Sequence, residues 1–261
     1  MRLGLAQVEP CSNPETNLET AGLVAAEAGE KGVQLLVFPE MFMAAPDDPS
    51  DLPSLAEEAN GSFVQGLRHI ARTHLLSVVA GVWEAIPGHN KVYNALAVID
   101  QQGQILERYR KIHLFDALNV TESRAMSPGD ALPPVLDLAG VPTGLGICYD
   151  LRFPELFRSL AGRGAELILV PAAWYSGPFK EDHWLTLLKA RALENTSYVA
   201  GVSFTGPHFC ARSSIIDPFG VVMASAGEMP ELLTADIARA RVEQVRTKVP
   251  SLRHTRPDLF S

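Results

Sequence analysis

The chain has 261 residues, 22 of them basic and 30 acidic, for a formal net charge of −8; 47% are hydrophobic and 20% charged. This is ordinary globular usage, enough for a large core, and single α/β domains of about 250 residues are common. The acidic excess excludes a partner held by bulk positive charge, so neither nucleic acid nor an anionic membrane is expected.

In chain order, Leu3 to Val8 reads as a strand, followed by a helix over Glu15 to Gly29 with Leu18, Ala21, Ala25 and Ala28 on one face and Gly32 beyond its end. Val33 to Phe38 is a buried-strand run. Phe63, Leu67, Ile70 and His74 mark the face of a second helix, and Leu75 to Trp83 is again a strand. Val92–Ile99 and Gln104–Tyr109 form a hairpin around Asp100-Gln101-Gln102-Gly103. A polar loop rich in Pro and Gly fills 115 to 134. Beyond it strand and helix alternate: Thr143–Cys148, Pro154–Gly162, Glu166–Val170, Glu181–Glu194 and Ser197–Ser203. Phe209–Ile216, the turn Asp217-Pro218-Phe219-Gly220, Val221–Met223 and Glu231–Ile237 make a β-rich end.

No linker, low-complexity segment or long charge block interrupts this pattern, so 1–261 is expected to be a single domain. Hairpins mixed with strand–helix–strand units disfavour a purely parallel doubly wound sheet. A layered α/β sandwich, two packed sheets with helices outside, fits better. GxGxxG after the first strand and GxxxxGK[ST] are both absent, so neither phosphate-cradling loop is present. No run approaches the roughly 18 to 20 apolar residues of a membrane span, and Glu9 and Pro10 come too early for a signal peptide. Three cysteines (Cys11, Cys148, Cys210) without a CxxC give no disulfide framework or cysteine zinc site, and point to a reducing cytoplasm.

Three reactive side chains each follow a β run: Glu40 after Leu35–Pro39, Lys111 after Ile105–Arg110, and Cys148 after Gly144–Ile147. Ligands in open α/β sheets collect at strand carboxyl ends, and the three chemistries are complementary. A thiol with pKa near 8.5 needs a base or a nearby cation to attack at neutral pH. A glutamate can be that base, and an ammonium can hold the charge of a tetrahedral intermediate. Taken singly, Cys148 also reads as an inert core residue, Glu40 as a strand-end cap and Lys111 as a solvated lysine. Phe-Pro-Glu occurs twice, at 38–40 and 153–155. The second copy has helix-start chemistry, with Pro first and an acid in the first turn, so Glu40 is the base candidate and Glu155 is structural.

Leu36-Val37-Phe38-Pro39-Glu40, Tyr109-Arg110-Lys111-Ile112-His113-Leu114-Phe115 and Gly146-Ile147-Cys148-Tyr149-Asp150-Leu151-Arg152-Phe153-Pro154-Glu155 resemble the three signature blocks of the nitrilase superfamily of carbon–nitrogen hydrolases. Pro171-Ala172-Ala173-Trp174, Arg191–Asn195 and Ser213–Pro218 resemble further blocks, in the expected order along nearly the whole chain. The resemblance implies an α-β-β-α sandwich that pairs into an eight-layered homodimer. It also implies a Glu40–Lys111–Cys148 triad, with Glu122 as the second glutamate between lysine and cysteine. The implied reaction needs no metal or organic cofactor: Cys148 attacks a small-molecule amide, and Lys111 with the Tyr149 N–H holds the oxyanion. Ala173 and Trp174 belong to the implied substrate-binding set. The Cys-Tyr-Asp-Leu-Arg-Phe run, in place of Cys-Trp-Glu, and the Arg256-Pro257-Asp258-Leu259-Phe260 tail look most like the branch of ω-amidases and deaminated-glutathione amidases. That branch deamidates small carboxylic acids; nitrilase, N-carbamoyl hydrolase, acyltransferase and an inactive scaffold are the alternatives. A substrate carboxylate would want a basic residue, and Arg124, Lys180 and Arg212 are the candidates by position, each also readable as a solvated surface charge.

Overall fold

The computed structural model describes residues 1–259; Phe260 of the tail motif lies outside them. In chain order its strands are β1 (Arg2–Gln7), β2 (Leu35–Val37), β3 (Ser77–Ala85), β4 (Val92–Ile99), β5 (Ile105–Arg110), β6 (Asp116–Ala117) and β7 (Val120–Thr121). They continue with β8 (Leu136–Leu138), β9 (Val141–Leu145), β10 (Leu167–Pro171), β11 (Tyr198–Val202), β12 (Ser214–Ile216), β13 (Val222–Ser225) and β14 (Glu231–Asp236). The helices are α1 (Pro14–Glu30), α2 (Leu52–Leu55), α3 (Ser62–His74), α4 (Pro154–Gly162), α5 (Lys180–Asn195) and α6 (Arg239–Lys248).

Most central strands are apolar on both faces, so each sheet needs a covering layer on either side. Two six-stranded sheets result, ordered β14-β1-β2-β3-β4-β5 and β13-β12-β11-β10-β9-β8, with β6 and β7 as a separate ribbon. Each has a parallel centre, β1-β2-β3 and β9-β10-β11, flanked by antiparallel strands. Alternation along the strands sorts the side chains into three cores. Leu35 and Val37 of β2 join Leu167 and Leu169 of β10 between the sheets. Leu36 and Phe38 point the other way, against Ala21, Ala25, Phe63 and Leu67 of α1 and α3. Ile168 and Val170 meet Phe157, Leu160, Trp184 and Leu188 of α4 and α5. The layers are therefore helix, sheet, sheet, helix, the expected α-β-β-α sandwich.

Several boundaries move for local reasons. Asn13 caps α1, its side chain accepting from the Glu15 and Thr16 amides, so the helix begins at Pro14. Leu75, expected to open a strand, is the left-handed cap of α3 at φ 54°. The strand expected over Thr143–Cys148 runs instead over Val141–Leu145, and Cys148 opens a short 3₁₀ turn. Of the strand expected over Phe209–Ile216 only Ser214–Ile216 pairs in the sheet, because Ala211 and Arg212 both have positive φ. The 115–134 loop contains the β6–β7 ribbon and a 3₁₀ turn at Glu122–Arg124. The sequence pattern missed β8, α2 and α6; α6 buries only Val242 and Val245 of its ten residues, too few to set a period. No helix among the described residues is long and apolar enough to cross a membrane.

Gly81 of β3 lies directly beneath the turn that carries Glu40. Its N–H donates to the Pro39 carbonyl at 3.1 Å and its carbonyl accepts from Met43 at 2.9 Å. A Cβ there would sit 2.6 Å from the Pro39 oxygen and 2.7 Å from the Glu40 carbonyl carbon, backbone atoms that cannot step aside. Gly81→Ala should therefore cost about 1–3 kcal/mol, the usual range for overpacking, measured as a lower urea midpoint at unchanged slope. An unshifted midpoint would show that the turn is looser than the geometry describes.

Candidate active site

Glu40 stands three residues beyond β2, and its carboxylate is 1% exposed. Three donors hold it. Oε1 accepts from the Asn94 amide at 2.7 Å and the Lys111 ammonium at 2.8 Å, and Oε2 accepts from the Ala173 backbone N–H at 2.8 Å. Asn94 lies on β4, Lys111 just past β5 and Ala173 just past β10, so both sheets grip one carboxylate. Lys111 is anchored in turn by its own N–H, which donates to the Asn94 carbonyl at 2.8 Å.

The Lys111 side chain is fully buried and lies between two carboxylates, with Glu122 at 2.9 Å on its other side. Burial alone would lower the ammonium's pKa, but Glu40 and Glu122 outweigh it and hold the pKa well above the usual lysine range. Glu122 is fixed by the Phe115 N–H, which donates to Oε2 at 2.7 Å. Burial raises its carboxyl above the usual range, with Lys111 opposing and the Glu40 charge adding.

Cys148 follows β9, where Ile147 is still extended, and takes φ 45°, a left-handed value that an L-residue adopts only under constraint. The constraint is Asp150, wholly buried. Its Oδ2 accepts from the Ile147 N–H at 2.9 Å and the Tyr109 hydroxyl at 2.6 Å. Its Oδ1 meets the His113 N–H at 3.2 Å and the His113 ring Nδ1 at 2.7 Å. Tyr109 and His113 flank Lys111 in sequence, so one carboxylate ties the lysine segment to the cysteine turn. Burial, then the Glu40 charge, pushes the Cys148 thiol well above its usual pKa. The Glu40 carboxylate stands beside that thiol as an acceptor.

Glu40, Glu122 and Cys148 line one small cavity of about 20 Å³ with Met41, Phe115, Tyr149, Arg152, Ala173, Trp174, Tyr175 and Lys180. That volume holds little more than one water. At Met41, Glu122 and Tyr175 it adjoins an outer cleft of about 780 Å³, walled by Trp83, Leu52 and Met126 with Asp47, Asp48 and Arg124 around it. Of the proposed binding residues, Tyr149, Trp174 and Lys180 line the inner cavity. Arg124 lines the outer cleft only. Ala173 serves Glu40 through its backbone N–H. Arg212 is a correction: it is not among the lining residues of either space, and its positive-φ carbonyl instead accepts from the Trp184 indole at 2.9 Å. Glu155 lies exposed on the first turn of α4, away from the cavity. Sequence reasoning passed over Asn94, Asp150, Arg152 and Tyr175. Asn94 had a signal, as the only amide in the apolar run Val92 to Ile99. No group of three or more His, Cys, Asp or Glu side chains placed to hold a metal ion occurs among the described residues.

The family model of carbon–nitrogen hydrolases matches residues 2–247. A protein of Escherichia coli O157:H7 named deaminated glutathione amidase is 41% identical over 244 residues, 93% of this chain and 92% of that protein. One of the same name from Synechocystis is 38% identical over 93% of each chain. An amidase of Nesterenkonia sp. AN1, 31% identical, superposes with a TM-score of 0.87 over 100% of this chain and 95% of its own. That structure, a glutamate-to-glutamine variant, carries the acetamide moiety of fluoroacetamide on its active-site cysteine. With its four-layer sandwich, its buried Glu–Lys pair and its strand-end cysteine in one cavity, the chain belongs to the carbon–nitrogen hydrolase family.

Proposed function

We propose that the chain hydrolyses the amide bond of a small carboxylate-bearing molecule, with Cys148 as nucleophile, Glu40 as acid and base, Lys111 as oxyanion donor and Glu122 as the group that orients Lys111. The observation that carries this reading is the three-point grip on Glu40 beside a cysteine in a left-handed turn. Glu40 takes the thiol proton as sulfur attacks the carbonyl carbon. Lys111 and the Tyr149 N–H receive the developing oxyanion. The C–N bond breaks, Glu40 returns its proton to the leaving nitrogen, and a thioester remains on Cys148. Water then adds to the thioester with Glu40 as base, releasing the acid and restoring the thiol. The raised thiol pKa fits this order, since proton removal accompanies attack rather than preceding it.

The names of the relatives point to deaminated glutathione as one such substrate, and the terminal amide of an oxo acid is the smaller form of the same chemistry. An amide carbon already bears the oxygen that Lys111 is placed to stabilise, whereas a nitrile carbon does not. Residues 1–261 would act as one catalytic domain without a cofactor. Pairing with a second copy is supported by Leu193, Phe219, Val221, Val222 and Met223, exposed beside the open edge of β13. Val222→Asp should then shift the sedimenting species to monomer mass. A cytoplasmic setting is supported by three free cysteines, one of them the nucleophile.

Cys148→Ala should abolish turnover while Cys11→Ala and Cys210→Ala keep it. Glu40→Gln should lower kcat roughly 10²- to 10⁴-fold, the usual worth of proton transfer. Glu155→Gln should change kcat little and cost at most about 1 kcal/mol of helix-dipole stabilisation. Equal losses in the two glutamine variants, each checked for folding by circular dichroism, would sink the assignment of Glu40.

Substrate chemistry is checked separately. 2-Oxoglutaramate and deaminated glutathione should both be cleaved, the first with ammonia release, and each faster than a nitrile of similar length. Faster nitrile turnover would place the chain among nitrile hydrolases instead.

A further inference from the structure

The two carboxylate oxygens of Glu40 are not equally engaged. Oε1 accepts twice, from the Asn94 amide at 2.7 Å and from the Lys111 ammonium at 2.8 Å. Oε2 accepts once, from the Ala173 N–H at 2.8 Å. A carboxylate oxygen has two lone-pair sites, so the position left for a further donor belongs to Oε2. The Cys148 thiol is within hydrogen-bond reach of this carboxylate.

Asn94 is the group that closes the second position on Oε1. It lies on β4 opposite Trp83, is 1% exposed, and lines neither the inner cavity nor the outer cleft. Its Oδ1 is buried with no hydrogen-bond partner among the described residues. A buried carbonyl without a donor is costly, and turning the amide round would set Oδ1 against Oε1, acceptor to acceptor. The side chain thus keeps Nδ2 on Glu40 and leaves its own oxygen unpaired.

Resting on the amidase reading, we propose that Asn94 is a positioning residue that directs the proton of the reaction: with Oε1 filled by Asn94 and Lys111, Glu40 takes up and returns each proton at Oε2. In the first step the S–H bond breaks, its proton goes to Oε2, and the sulfur pair forms the S–C bond. The carbonyl π pair moves onto the carbonyl oxygen. When the C–N bond breaks, the proton leaves Oε2 for the nitrogen. In the second half Oε2 takes a proton from the attacking water and gives it to the departing sulfur. Oε1 stays an acceptor for Lys111 throughout, and Glu122 remains the counter-charge of the ammonium while Glu40 is neutral. Asn94 thereby keeps the proton off the oxygen that holds the ion pair.

The test uses the whole protein and two variants, each checked for folding by circular dichroism. Asn94→Leu keeps the bulk of the side chain and removes the donor; Asn94→Ala removes both. The first readout needs no amide: Cys148 is alkylated by iodoacetamide across a range of pH and mapped by mass spectrometry. Sulfur displaces iodide and Glu40 takes the thiol proton. Losing a donor favours the protonated form of a carboxylate, and the base works only when ionised, so the acid limb should move to higher pH in both variants. The other titratable groups whose charges act around Glu40 are Lys111, Glu122, Cys148 and Tyr175, the same in every variant. The second readout is amide turnover. Here kcat should fall roughly tenfold or more, the scale of a misplaced reacting group, with KM little changed because Asn94 does not reach the substrate space. A space-filling Asn94 predicts instead that Asn94→Leu keeps both the limb and kcat. That result in the folded variant overturns the proposal, as does a loss confined to KM; Asn94→Ala is read the same way should Asn94→Leu not fold. A shifted alkylation limb in a protein that cleaves no amide keeps the role of Asn94 and discards the amidase reading. Amide cleavage with limb and kcat unchanged in the variants does the reverse.

Discussion

The buried Glu40–Lys111 pair is the interaction on which the rest of the site depends. A buried ion pair persists when further hydrogen bonds support it, and here two groups support the carboxylate and one more the ammonium. Asn94 and Ala173 complete the Glu40 carboxylate, and Glu122 takes the far side of the ammonium. Glu40, Lys111 and Asn94 come from the first sheet and Ala173 from the second. The pair is therefore satisfied only when the two sheets are in register, and packing between the sheets becomes a condition for the chemistry.

That dependence explains where the site lies. The parallel centres of both sheets end at the same side, and β2, β9 and β10 each deliver one part there: Glu40, Cys148 and the Ala173 amide. β5 reaches the same point by antiparallel pairing with β4, carrying Lys111. Four strands supply rigid backbone and only short turns are specialised, so the reacting groups need little rearrangement when substrate arrives.

Much of this was legible in the sequence because it is local. Apolar runs marked the central strands, and Glu40, Lys111 and Cys148 each stood at the end of such a run, where the order of signature blocks gave them roles. What stayed hidden is long-range or carried by backbone. Asp150 sits two residues after Cys148 and looks like a turn acid until Tyr109 and His113, 41 and 37 residues away in sequence, are seen to reach it. Ala173 has no functional group to read, since its contribution is a backbone N–H. Arg212 was a candidate for a substrate carboxylate by its position in the sequence alone. The left-handed backbone at Ala211 and Arg212 instead turns its carbonyl towards Trp184.

The positive φ of Cys148 shows how stability and function are balanced. An L-residue in that conformation costs of order 1–3 kcal/mol and persists only where its surroundings over-determine it. Asp150 is the part that does so, because its carboxylate accepts from the Ile147 N–H on the near side of the turn and from Tyr109 and His113 on the far side. Relaxing the turn would leave a buried carboxylate short of donors, which costs more than the strain it would relieve. The same contacts bind the segment that carries Lys111. The strained Cys148 and the buried Lys111 are thus fixed relative to each other through one buried acid that touches neither the thiol nor the ammonium.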